Sequence, residues 1–332
     1  CAADVSVNTD AGVCEAQTTV TGPANGDNCS VASVVNDYNG TSDASDVYPL
    51  GTTTVTWTVT DGSGNTTSCS MDVNVTDIEA PSITCAADVS VNTDAGVCEA
   101  QTIVTGPANG DNCSVASVVN DYNGTSDASD VYPLGTTTVT WTVTDGSGNT
   151  TSCSMDVTVT DVELPVIDCP LDIIISECTP TASWSLNATD NCGVSSISSD
   201  ILSGSTFAEG TTTNVTVTAV DNSGNVTNCT FSVTRDPDLI LTSNADPILC
   251  NGDTTDVTVS ANGGAPPYTG VGNYAVTSGT YSYVVTDSKG CSETTTITID
   301  EPTQLELAIG GCAIVYEGLG IDYACATIDG MA

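Results

Sequence analysis

Residues 1–84 return as residues 85–168 without a gap, and the two stretches differ only at Thr19/Ile103, Asn74/Thr158, Ile78/Val162, Ala80/Leu164, Ser82/Val166 and Thr84/Asp168. Repetition at a fixed period means one supersecondary unit built twice, so the question of fold reduces to the fold of a single copy. A third, looser copy starts at Cys169, where cysteines 169, 178, 192 and 229 answer to 1, 14, 29 and 69. Within a copy the most patterned stretch is Tyr48 to Asp77. Val55, Trp57 and Val59 alternate there with Thr54, Thr56, Thr58 and Thr60, which puts apolar and polar side chains on opposite faces of a strand. Asp61-Gly62-Ser63-Gly64-Asn65 supplies turn chemistry, and Cys69, Met71, Val73 and Val75 bring a second alternating strand back.

The first copy is expected to form strands near 3–8, 13–20, 30–36, 52–60 and 67–75, with shorter ones between 37 and 48. Short strands separated by turn signals at this spacing are those of an all-β sandwich. No segment keeps a 3.6-residue period, and Thr, Val and Ser stand where helix formers would be needed. The expected fold is all-β: tandem immunoglobulin-like β-sandwich repeats, stapled by disulfides, in an extended string. The expected division is 1–78, 79–162 and 163–236 for the three copies. A different β module covers 237–302, and 303–332 opens a further β repeat. Cys1 begins in mid-repeat with no signal peptide ahead of it, so the stretch reads as a piece of something longer.

The charge is extreme: 42 Asp and Glu against two basic residues, Arg235 and Lys289, for a net charge of −40. Such a field repels nucleic acid and anionic membrane and attracts divalent cations. No apolar run approaches the ~20 residues needed to cross a bilayer as a helix. With no histidine in the chain, Ser-His-Asp and Cys-His sites are excluded, and one lysine and one arginine leave no phosphate clamp. Paired carboxylates abound, but in so acidic a chain they arise by composition. The expectation is a non-enzyme.

Sixteen cysteines without a CxxC or a histidine read as structural disulfides formed in an oxidising compartment. Four per ~80 residues suit a sandwich whose core alone would be marginal. Cys1 opens the first strand and Cys69 the last, and these are neighbours in such sandwiches. The preferred pairs are Cys1–Cys69 with Cys14–Cys29, Cys85–Cys153 with Cys98–Cys113, and Cys169–Cys229 with Cys178–Cys192. Beyond them stand Cys250–Cys291 and Cys312–Cys325. The alternative is Cys1–Cys14 with Cys29–Cys69 and its equivalents, since four cysteines allow three pairings.

Carboxylates gather around turns. The Asp27-Asn28-Cys29 and Asp61-to-Asn65 loops are expected at one pole of a copy, and Asp77 and Glu79 leave from the other. Asp77 and Glu79 would then face Asp111, Asp145 and Asn149 of the next copy. Likewise Asp161 and Glu163 would face Asp190, Asp221 and Asn225. Such sets supply the oxygen donors that Ca2+ requires, which makes Ca2+ the one cofactor expected. The competing reading is that Asp and Asn bond only their own turns. Trp57, Trp141 and Trp184 are candidates for sugar stacking, though their phase beside valines favours the core. Tyr38, Tyr48, Tyr122 and Tyr132 lie near turns and are the better candidates for exposed contacts.

The three copies resemble the HYR (hyalin repeat) family. The matching elements are the Cys-x-x-Asp-Val/Ile start, Asp-Asn-Cys at 27–29, 111–113 and 190–192, the Gly-Thr-Thr-Thr strand opening, and the Asp-x-Ser-Gly-Asn turn. The third copy departs from the pattern, with Phe207-Ala208-Glu209-Gly210 in place of Tyr-Pro-Leu-Gly. Residues 238–302 look like an SprB-type repeat through Cys250-Asn251-Gly252-Asp253, Gly263-Gly264-Ala265-Pro266-Pro267-Tyr268 and Thr286-Asp287-Ser288-Lys289-Gly290-Cys291. The combination implies a large bacterial cell-surface adhesin of gliding Bacteroidetes, exported by the type IX route. Its partners would be extracellular surfaces or glycans, or other copies of the same protein. The alternatives are accessory modules of a secreted polysaccharide-degrading enzyme, or carbohydrate-binding modules in their own right.

Overall fold

The computed structural model describes residues 1–304, and among these all regular structure is β-strand. The chain divides into two compact units, Cys1–Glu163 and Leu164–Ala332.

In the first unit, repeat 1 carries β1 (Val5–Asn8), β2 (Glu15–Thr18), β3 (Val31–Asn36), β4 (Asp46–Pro49), β5 (Gly51–Asp61) and β6 (Thr66–Thr76). One sheet has the order β1-β6-β5-β3, with β1 parallel to β6 and the other pairs antiparallel; β2 and β4 form the second layer. The alternation read from the sequence explains the layers. Val55, Trp57, Val73 and Tyr48 are wholly buried between them, with Met71 and Val75 beside them. The threonines face outward and bond across the hairpin, as when Thr54 Oγ1 donates to Asp72 Oδ1 at 2.6 Å. At the hairpin tip Asp61 Oδ1 accepts from the Ser63 and Asn65 amides, 2.8 Å each, and Gly64 takes φ +88°. That left-handed conformation is why a glycine stands there.

Repeat 2 carries β7 (Ser82–Thr84), β8 (Val89–Asn92), β9 (Glu99–Thr102), β10 (Ala108–Gly110), β11 (Val115–Asn120), β12 (Asp130–Pro133), β13 (Gly135–Asp145) and β14 (Thr150–Thr160). Its sheet β8-β14-β13-β11 and pair β9-β12 reproduce repeat 1, and β7 pairs with β10 in addition. The core is again its own: Tyr132, Val139, Trp141 and Val157 are wholly buried.

In the second unit, repeat 3 carries β15 (Val166–Asp168), β16 (Ile173–Ile175), β17 (Asn187–Thr189), β18 (Val194–Ser199), β19 (Thr212–Asp221) and β20 (Val226–Arg235), with sheets β16-β20-β19-β18 and β15-β17. Val215, Val217, Phe231 and Val233 fill it, and Trp184 meets Phe231 edge-on at 5.2 Å. The module after it carries β21 (Ile240–Ala245), β22 (Thr255–Asn262), β23 (Gly272–Val276), β24 (Gly279–Thr286) and β25 (Ser292–Ile299), with sheets β21-β22-β23 and β24-β25 around Val257, Val259 and Val285. The further repeat expected over 303–332, with Cys312 and Cys325, lies outside the described residues save for Thr303 and Gln304.

The aromatic candidates for surface contacts are corrected. Tyr48 and Tyr132 are wholly buried, each with its hydroxyl donating to a main-chain carbonyl, Ala44 and Ala128, at 2.6 Å. Tyr38 and Tyr122 stack on them at 4.4 and 4.3 Å. A four-residue strand such as β4 is too short for its period to show in the sequence. Trp57 and Trp141 have no exposed face on which a sugar could stack.

Among the described residues the disulfides fall into two classes. Cys1–Cys69, Cys85–Cys153 and Cys169–Cys229 each tie a cysteine just ahead of β1, β8 or β16 to the last strand of the same repeat. The others do not close within a repeat. Cys14 bonds Cys113 of repeat 2, and Cys178 bonds Cys291 of the following module. This replaces the expected Cys14–Cys29, Cys98–Cys113, Cys178–Cys192 and Cys250–Cys291, and also the alternative with Cys1–Cys14. Cys98 and Cys192 are disulfide-bonded, while Cys29 and Cys250 are exposed thiols. The reason is distance. Cys14 follows β1, which ends beside Thr76, whereas Cys29 lies beside the Asp61 turn at the other end of the eleven-residue β5. Eleven residues of strand span about 35 Å, far beyond the ~7 Å that a disulfide tolerates between Cα atoms.

Candidate cation site at a repeat joint

The joint between repeats 1 and 2 lies wholly within the first unit. Parallel pairing brings the end of β1 next to the end of β6, so the β1–β2 turn and the segment leaving β6 share one pole. Thr9 Oγ1 donates to Asp77 Oδ1 at 3.3 Å, and the Gly12 amide donates to Glu79 Oε2 at 2.9 Å. Repeat 2 meets this pole with its Asp111-Asn112-Cys113 loop and its Asp145-to-Asn149 turn. The Asn112 amide donates to Val13 O at 3.2 Å and to Asp77 Oδ1 at 3.4 Å. The Asn149 amide donates to the carbonyls of Asp77 and Glu79, 3.2 Å each. The Cys14–Cys113 bridge closes the joint covalently.

Five of the expected ligands therefore separate into two roles. Asp77 and Asp111 come together: each offers a carboxylate oxygen to a group in which all ligand atoms, including Cys113 Sγ, lie within 4.8 Å of one another. Glu79 turns back onto repeat 1. Asp145 serves its own turn, accepting from the Ser147 and Asn149 amides at 2.9 and 2.8 Å, and Asn149 presents donors rather than acceptors. Burial works against the Asp145 charge, but the bonds from Asn149, Ser147 and Gly148 outweigh it and hold its carboxyl below the usual range.

What sets Asp77 and Asp111 apart is what they lack. Asp77 is 3% exposed; its Oδ1 takes three donors, whereas its Oδ2 is buried without a hydrogen-bond partner. Asp111 Oδ2 caps the Cys113 and Ser114 amides at 2.8 and 2.9 Å, and its Oδ1 is likewise buried and unpartnered. Asn112 Oδ1 is a third such oxygen. Buried oxygens of this kind demand a counter-charge or a donor. The set is all-oxygen and anionic, which suits a hard cation of the Ca2+ class rather than a thiophilic metal. Cys113 sulfur is committed to its disulfide. Asn112 was absent from the expected ligand set, although the Asp-Asn-Cys motif that contains it was in view.

At the equivalent positions further on, Glu163 Oε2 accepts from the Gly96 amide at 3.0 Å and the Glu163 amide donates to Asp161 Oδ1 at 3.0 Å, both within the first unit. In the second unit Asp190 Oδ2 accepts from the Cys192 amide at 2.8 Å, and Asp221 Oδ1 accepts from the Ser223 and Asn225 amides at 2.8 Å each.

The HYR domain pattern matches residues 1–75, 76–159 and 160–235. The chain belongs to the HYR domain family. Hyalin of Strongylocentrotus purpuratus is 30% identical over 304 residues, which cover 79% of this chain and 25% of hyalin. The sushi, von Willebrand factor type A, EGF and pentraxin domain-containing protein 1 of Rattus norvegicus is 35% identical over 162 residues, 47% of this chain and 4% of that protein. This chain thus spans at most about a quarter of the length of either relative. Among solved structures, the Sidekick-1 immunoglobulin domains 1–5 share 11% identity, with 89% of this chain and 78% of that one covered at a TM-score of 0.32.

The third HYR repeat meets the module after it through a second acidic pair. Glu177, beside the Cys178–Cys291 bridge, is 9% exposed with both carboxylate oxygens buried and unpartnered, and it lies against Asp287. Asp287 accepts from the Ala265, Lys289 and Cys291 amides at 2.8 to 2.9 Å. Burial and the neighbouring Asp287 push the Glu177 carboxyl up, while the amide donors overcome burial to keep Asp287 down. The two carboxyls are thus shifted in opposite directions, and Glu177 keeps its proton to higher pH than Asp287 does.

Proposed function

We propose that these HYR repeats form a structural and adhesive segment of an extracellular protein, with Ca2+ held at the repeat joints as a stiffener. The observation that carries the reading is the joint between repeats 1 and 2. It pairs an inter-repeat disulfide with buried, unpartnered oxygens of Asp77, Asp111 and Asn112. A spacer needs sound joints between like units and no reactive centre. The absence of histidine and the near-identity of the first two copies both suit that role. Adhesion to extracellular surfaces, or to other copies of the protein, is the partner class we infer. The disulfides support a location outside the reducing cytoplasm.

The finer assignment keeps residues 238–302 as an SprB-type repeat, and the whole as part of a bacterial surface adhesin exported by the type IX route. It rests on the motifs at Cys250, Gly263 and Asp287. Detection of the chain on intact cells of its source organism, with loss of that signal when type IX export is blocked, tests it.

Calorimetric titration of the full chain with Ca2+ tests the joint. Saturable heat and a rise in melting temperature reversed by EDTA are expected, with both reduced in Asp77→Asn. Absence of any Ca2+-dependent heat or shift in the parent chain overturns the cation while leaving the covalent joint intact.

A further inference from the structure

Repeats 1 and 2 have the same sequence across their leading poles, yet only one of those poles is covered. In repeat 2, Asp145 is 2% exposed, Val143 is wholly buried, and Asp111, Asn112, Cys113 and Asn149 are half-buried beneath the exit end of repeat 1. In repeat 1 the counterparts Asp27, Asn28, Cys29 and Asn65 are exposed, and Asp61 and Val59 are half-buried. The local geometry is already set. Asp27 Oδ2 caps the Cys29 and Ser30 amides at 2.8 and 3.1 Å, as Asp111 Oδ2 caps Cys113 and Ser114. Asn65 folds onto Asp61 as Asn149 folds onto Asp145. The difference is one of occupancy: Cys113 carries a disulfide to Cys14, and Cys29 is a free, exposed thiol.

We propose that the Asp27-Asn28-Cys29 face of repeat 1 is a receiving surface for the exit end of another HYR repeat, sealed by a disulfide from Cys29 to the cysteine that occupies the Cys14 position of that partner. The occupant follows from continuity with the joint seen between repeats 1 and 2. An HYR exit end presents a cysteine after its first strand, main-chain carbonyls for two side-chain amides, and one carboxylate to sit beside Asp27. A second copy of this chain offers no such end ready for use, because Cys14, Cys98 and Cys178 are all bonded. The partner is an HYR repeat whose exit cysteine is unspent. Closure oxidises two thiols, and a small-molecule disulfide such as oxidised glutathione takes up the two electrons and two protons and leaves as two thiols.

The proposal rests on the joint geometry and not on the cation, so the test is run in EDTA. A second copy of residues 85–168, marked by Ile103→Val at an exposed position, is appended ahead of Cys1 in the full chain, and Val31→Ile marks the Cys29 peptide. Trypsin has only Arg235 and Lys289 to cut, so the oxidised protein is alkylated and digested at aspartates, which releases Cys29 on residues 27–36. The expected product is this marked peptide disulfide-linked to the appended Cys98 peptide, which its Val in place of Ile103 distinguishes from the same peptide of repeat 2. Recovery of the Cys1–Cys69 linkage reports that repeat 1 has folded. A marked peptide that is alkylated, or linked to the Thr19 peptide of its own repeat, the Ile103 peptide of repeat 2 or the Cys250 peptide, overturns the proposal.

Discussion

Asp77 and Glu177 are buried carboxylates with different local solutions. Asp77 saturates one oxygen with Thr9, Glu79 and Asn112 donors and keeps the other bare, while both Glu177 oxygens are bare and face a carboxylate already held by three amides. The second arrangement has a pH signature. The Glu177 carboxyl is raised in the folded state, by burial first and then by Asp287. Its proton therefore stabilises the fold fully below the ordinary carboxylate value, and that contribution fades as pH rises through the raised value. Melting temperature measured from about pH 4 to 8 should fall with pH by this term, and Glu177→Gln should flatten that slope. Asp61, Asp145 and Asp221 have the opposite sign. Their carboxyls are held low by the side chains of Asn65, Asn149 and Asn225 together with turn amides, against burial at Asp145 and Asp221. Their contribution is present above the ordinary aspartate value and is lost as pH falls through the lowered one.

At the scale of elements, the hairpins β5–β6 and β13–β14 carry the fold. Gly64 and Gly148 stand at φ +88° and +91° in their tips, so Gly148→Ala should cost about 1–2 kcal/mol, read as a lower melting temperature. Trp141→Ala, which empties a wholly buried site, should cost about 3–5 kcal/mol by the same measurement. These hairpins were plain in the sequence because Val, Trp and Thr alternate over eleven residues and the turn chemistry is unambiguous. The Cys1–Cys69 pair followed, since Cys1 leads into β1 and Cys69 sits early in β6, and these strands lie side by side. The partner of Cys14 did not follow. Four cysteines in each repeat look self-sufficient, and nothing local says that one of them belongs to a neighbour. A signal was available in the topology: a first strand parallel to the last delivers Cys14 to the pole where Asp77 leaves. Likewise, Asp77 and Asp111 could be placed at one joint from the sequence. That Asp145 would be spent on its own turn was the competing reading; that Asn149 would reach the main-chain carbonyls of Asp77 and Glu79 was not legible.

At the scale of the whole molecule, the second class of disulfide turns neighbouring sandwiches into one covalent body. Cys14 and Cys113 are 99 residues apart, and closing a loop of that size is worth up to about 4–5 kcal/mol on the chain-entropy account. Calorimetry of the Cys14→Ser, Cys113→Ser double variant should show a lower melting temperature for the first unit, with its two repeats no longer melting together. The first class of bridge acts on how a repeat answers a pull along the chain. Tension arriving at Cys1 crosses sulfur to Cys69 and leaves along β6 toward Cys85, where it crosses again to Cys153. The residues enclosed by each crossing, tryptophan and tyrosine cores included, stay off the loaded path. A repeat stretched under oxidising conditions can give up only the short span from Cys69 to Cys85 before the covalent backbone itself is taut.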